Sequence, residues 1–110
     1  MNDEVSEADL LRAKLNGETA TIGWMELQRQ HAAGKVIQVG SALDLVDVAV
    51  QLATDNGAKI EAWISFGDIE VVQDAQAADW VVINQSLWAI VVSPWVLVQE
   101  KSQLDDELDG

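Results

Sequence analysis

The sequence predicts an α+β domain in which four to five helices pack on one face of a small, mainly antiparallel sheet with a single layer of strands. Three observations carry that expectation. In SALDLVDVAVQLATDNG the polar positions Asp44, Asp47, Gln51 and Asp55 recur three or four residues apart, the period of a helix with a narrow polar stripe. KVIQV, IEVV and LWAIVVSPWVLVQE are short apolar runs rich in β-formers. A chain of 110 residues that is 49% hydrophobic suits one domain with a modest core.

Taken in order, Ser6 precedes ADLLRAKLNG with Asp9 three residues on, a spacing like that of a capping box. Arg12 and Lys14 suit the last turn of that helix and Gly17 its stop, with Ala8, Leu11 and Leu15 as the apolar stripe. A second helix is expected from about Ile22 to Ala33, capped by Thr21 and stopped at Gly34. It would place Trp24, Leu27 and His31 on one face. KVIQV (35–39), bounded by Gly34 and Gly40, reads as a strand. The helix with the acidic stripe follows and should lie at the centre of the fold.

Asn56-Gly57 is a favoured hairpin pair. A hairpin there would contradict the helical spacing just before it. A helix–turn–helix connection is therefore expected, with Ile60, Trp63 and Ile64 facing inward and Gly67 as the end. IEVV (69–72) suits a short strand. Asp74 is placed to cap a helix through AQAADW, and the β-branched run Val81-Val82-Ile83 leaves its end open.

Residues 87–100 raise a sharper question. The primed turns of two-residue hairpins need positive φ, which Ser tolerates poorly and Pro cannot supply. Ser93-Pro94 is thus disfavoured as a tight hairpin loop. Residues 87–99 are expected as one strand bent at Pro94, or as two strands in different pairings, with Pro94 at an edge or bulge. On that reading Trp88, Pro94 and Trp95 form a candidate interaction surface, an apolar edge with unpaired backbone groups.

Composition excludes several functions. The sequence has no Cys, so disulfides, thiolate catalysis and Cys-based zinc sites are out. MNDEVSEADLL is acidic and polar where a secretory leader would carry basic residues and an apolar run. No stretch reaches the about 18 apolar residues of a membrane span, and a cytoplasmic location is expected. Net charge is −13, yet nine of the nineteen acids fall in residues 1–9 and 100–110. Residues 1–100 are expected as one domain with a short acidic lead, and 101–110 as a disordered, solubilising tail. The six basic residues are scattered, which argues against nucleic-acid binding.

No phosphate-binding glycine loop, nucleophile elbow, EF-hand or HExxH motif occurs. The one histidine, His31, reads as a packed helix residue, because a catalytic base needs a partner that the sequence does not place. Asp44, Asp47 and Asp55 form an acidic face that reads first as solvated and second as part of a divalent-cation site. Five tryptophans fill the core of a chain with one Phe and no Tyr, unless Trp88 and Trp95 anchor an interface.

LNGETATIGW, LDLVDVA with its Asp-containing turn, and LWAIVVSPWVLVQE resemble, in that order, a small bacterial family catalogued as domain of unknown function 2288. The resemblance covers roughly residues 10–100. It implies a single-domain cytoplasmic bacterial protein, and it carries no activity, cofactor or catalytic residue.

The leading functional expectation is a non-catalytic interaction or regulatory module that uses a Trp-rich edge strand. It would bind a protein partner or self-associate, for instance as a homodimer, without nucleic acid, membrane, cofactor or metal. The alternative is a carboxylate-based metal-dependent enzyme or small-ligand binder, which needs two of Asp44, Asp47 and Asp55 to converge. Acidic mimicry of nucleic acid is a third reading, weakened by the modest charge of the body.

Overall fold

The computed structural model describes residues 6–101; the expected disordered tail lies outside them apart from Lys101. Helix α1 (Glu7–Gly17) starts where Ser6 accepts a hydrogen bond from the Asp9 N–H at 3.1 Å. Strand β1 (Ala20–Gly23), a 3-10 turn (Trp24–Leu27) and the short α2 (Gln28–Ala32) follow, then β2 (Val36–Val39). Helices α3 (Leu45–Ala53) and α4 (Gly57–Phe66) are joined at Asp55-Asn56, as the helical spacing predicts. Strand β3 (Ile69–Val71), α5 (Asp74–Ile83), β4 (Ser86–Val92) and β5 (Trp95–Glu100) complete the described chain. The architecture is α+β, with five helices and one five-stranded sheet among the described residues.

The sheet order is β1-β4-β5-β2-β3. All neighbours are antiparallel except β2 and β5, which run parallel with Val36 opposite Val96. This corrects the expectation for residues 87–99. Strands β4 and β5 are a tight antiparallel hairpin in register from Val92↔Trp95 to Leu87↔Glu100, and they occupy the interior of the sheet. The reversal uses a cis Ser93-Pro94 peptide. Neither Ser93 nor Pro94 takes a positive φ, so the turn falls outside the primed classes that the expectation weighed. The edges belong instead to β1 and β3.

Helices cover both faces, not one. Alternation along the strands sends Ile90, Leu97 and Val39 to one side, where they pack with Leu15 of α1, Val48 and Ala49 of α3 and Trp63 of α4. Leu87, Ala89, Val96, Val98 and Val36 face the other side, against Trp24 and Leu27 of the 3-10 turn and Ala77 and Trp80 of α5.

Two further differences have local causes. The helix expected over 22–33 begins later, because residues 20–23 pair with β4 and the Trp24 N–H donates to the Gln85 carbonyl at 3.0 Å; tertiary pairing outweighs the weak helical preference of ATIG. Its stop is as expected, with Gly34 in the left-handed region at φ 72°. Helix α5 starts after Gln73 with Asp74 in its first turn, and the Asp74 carboxylate meets His31 in place of capping. That helix runs through Val81-Val82-Ile83 to a left-handed Asn84.

A part-buried tie joins β5 to the loop between β2 and α3. The Gln99 amide on β5 donates to the carbonyls of Gly40 and Leu43 at 2.9 and 2.8 Å. Replacing Leu97, which is fully buried, by Ala should lower the unfolding free energy by about 3 kcal/mol, as for other large core truncations. Val82→Ala on the exposed side of α5 should stay within about 0.5 kcal/mol of the parent. Urea denaturation of both variants checks the contrast.

Candidate functional site

The residues singled out by sequence do not form one surface. Trp88 and Trp95 share a face of the sheet but lie toward opposite ends of the hairpin, opposite Gln99 and Val92 respectively. Each is half-buried under a lysine: Lys101 Nζ stands 4.4 Å from the Trp88 ring centre and Lys35 Nζ 5.0 Å from that of Trp95. Pro94 is exposed in the turn. Because Trp88 pairs with both Thr21 and Gln99 and β5 runs between β4 and β2, the sheet edge that motivated a surface at Trp88, Pro94 and Trp95 lies elsewhere, and β4 lacks a β1 partner only at Ile90–Val92.

The acidic residues separate in the same way. Asp44 caps α3 by accepting from the Val46 N–H at 2.9 Å. Its other oxygen, and one oxygen of Asp47, meet the Arg12 guanidinium at 3.3 and 3.0 Å. Asp55 lies past the far end of the helix, in the left-handed region at φ 56°. Arg12 thus stands where a divalent cation would have to bind between Asp44 and Asp47. His31 packs edge-on against Trp24 with ring centres 5.3 Å apart, and its Nε2 lies 3.1 Å from an Asp74 oxygen. No nucleophile joins this pair among its described contacts.

What the structure brings together is apolar. Between the α3–α4 pair and the outer half of the sheet lies a cleft of about 290 Å³. Its floor is Ile37, Ile69 and Leu97; its walls are Val48 and Leu52 of α3 with Ile60 and Ile64 of α4. Val71 and Trp95 form the open rim. Glu70 borders it on the edge strand, and the alternation of β3 turns its carboxylate to the opposite face. The cleft lies over the margin of the sheet formed by β2 and the three-residue β3. Ile64, expected to face inward, is 56% exposed at this mouth.

Sequence reasoning missed the cleft, although α4 held a signal. Ile60, Trp63, Ile64 and Phe66 spread over more of the helix than one buried stripe requires. Of these only Trp63 is buried.

A family described as "Protein of unknown function (DUF2288)" matches residues 10–100. The chain belongs to the DUF2288 family. This DUF2288 protein is also similar to a solved structure titled "NMR solution structure of PA1075 from Pseudomonas Aeruginosa". The two are 44% identical with a TM-score of 0.75, over 93% of this chain and 94% of the other. No curated protein matches the sequence. Among the described residues no helix is long and apolar enough to cross a membrane.

The assignment of Asp44 to structure has a measurable consequence. Asp44→Ala should cost about 1 kcal/mol through loss of the cap. Asp47→Ala, which removes a partly exposed ion pair with Arg12 and a long 3.5 Å contact from Gln51, should cost no more than about half of that. Thermal denaturation at low salt separates the two, and equal losses would count against the capping role.

Proposed function

We propose that this DUF2288 protein is a non-catalytic binding module whose working surface is the apolar cleft between α3–α4 and strands β2, β3 and β5. One observation carries the reading: an apolar concavity assembled from five elements stays open at Ile64, Val71 and Trp95. Small-molecule sites are typically concave, mostly apolar and few per protein, and exposed apolar surface that is clustered marks contact sites. A catalytic reading lacks comparable support, because the carboxylates cap a helix, hold an arginine or stand apart. The interaction surface expected at Trp88, Pro94 and Trp95 is thereby moved, and of those residues Trp95 alone lines the cleft. A sequence with no cysteine suits work in the reducing cytoplasm.

A fluorescent apolar dye such as anilinonaphthalene sulfonate should bind the folded protein at one saturable site. Ile64→Glu places a charge at the mouth and should weaken binding at least tenfold. Val82→Glu, on an exposed position of α5 distant in sequence and on the other side of the sheet, should leave it unchanged. Equal losses in both variants, or none in either, would overturn the assignment.

A further inference from the structure

One rim residue of the cleft, Trp95, carries a cation on its ring, that of Lys35, which does not itself line the hollow. Lys35 directly precedes β2, and the Val96 N–H donates to its carbonyl at 2.9 Å. The β2–β5 register therefore sets Lys35 beside Trp95, on the face that Ile37 and Leu97 share. Its ammonium lies 5.0 Å from the Trp95 ring centre. Among the described residues it forms no ion pair, whereas Arg12 is held by two carboxylates. The chain has nineteen acids for six basic residues, so an ammonium held beside an apolar hollow by a tryptophan face, and by no carboxylate among the described residues, is a specific feature.

We infer that the cleft takes a medium-length aliphatic carboxylate, with its chain among Ile37, Leu52, Ile60 and Ile64 and its head group at Lys35 Nζ. This deepens the binding reading above and rests on it. Size supports a single unbranched chain: an apolar cavity of about 150 Å³ holds one benzene ring, and the cleft here measures about 290 Å³. Charge complementarity supports the anion, since Lys35 is the cation next to the apolar rim and the Glu70 side chain points to the opposite face. The overall negative charge opposes an anion only weakly at this range. Physiological salt screens charge beyond about 8 Å.

The test titrates the full chain with octanoate, octan-1-ol and octylammonium, followed by calorimetry and by amide and indole N–H shifts. Octanoate should bind one-to-one, shift the Trp95 indole signal and exceed octanol in affinity by about three- to fivefold, the scale of one partly exposed charge pair. Octylammonium should be the weakest. Hexanoate should bind about fifteenfold less tightly than octanoate, following the transfer of two methylene groups. Lys35→Gln should abolish the preference of octanoate over octanol, and Lys35→Arg should keep it. Octanol binding as well as octanoate, or an unchanged preference in Lys35→Gln, would overturn the inference and leave the cleft as a binding surface. Failure of all three probes to perturb the cleft would overturn the binding reading too.

Discussion

Val96 and Val98 of β5 press against the layer formed by the 3-10 turn and α5, while Leu97 between them presses against α3. The backbone of the same strand is hydrogen-bonded to β4 on one side and to β2 on the other. Full burial of side chains of this size contributes about 1.5–3 kcal/mol each, so losing any one of these three contacts removes a sizeable fraction of the about 5–15 kcal/mol net stability typical of a domain. The helices divide between two faces because this strand has no face to spare. The crossover from β2 through α3, α4, β3 and α5 then returns the chain to the centre of the sheet, leaving the short β3 at one margin. The cleft opens at that margin.

The use of basic residues follows from the same economy of surface. Lys35, Lys59 and Lys101 each lie over a tryptophan ring, at 5.0, 5.6 and 4.4 Å from its centre. Their stems lie along the half-buried indoles of Trp88 and Trp95 and over the buried Trp63, and the attraction of ammonium for the ring face contributes about 0.5–1 kcal/mol at such sites. Arg12 ties α1 to the entrance of α3 through Asp44 and Asp47. The positive charges therefore organise local packing, and the acid excess of the sequence remains unbalanced at the surface.

Much of the fold is legible in the residues. The helical spacing of Asp44, Asp47 and Gln51, the stops at Gly34 and Gly67, and the Ser6 cap all express local chemistry, and each stands where that chemistry puts it. The reading of one covered face failed although its contradiction was visible: AIVV and WVLV are continuous apolar runs, the pattern of strands buried on both sides, whereas a half-exposed strand alternates. The strand at 20–23 was hidden for a different reason. ATIG has little preference of its own, and only the β4 edge beside it makes it a strand. The candidate site was the least legible part. Its lining comes from α3, α4, β2, β3 and β5, and no local pattern reports a gap between elements that are distant in sequence.

By itself the sequence determined the α+β class, most of the helices and their ends, the acidic balance and the lack of thiol chemistry, because these depend on neighbours within a few residues or on composition alone. Only the tertiary structure decided that β4 and β5 form the interior hairpin, that Arg12 occupies the space between Asp44 and Asp47, and that an apolar cleft stands open beside Lys35. Those outcomes are set by which surfaces remain after distant segments have packed, and that remainder is a property of the assembled layers.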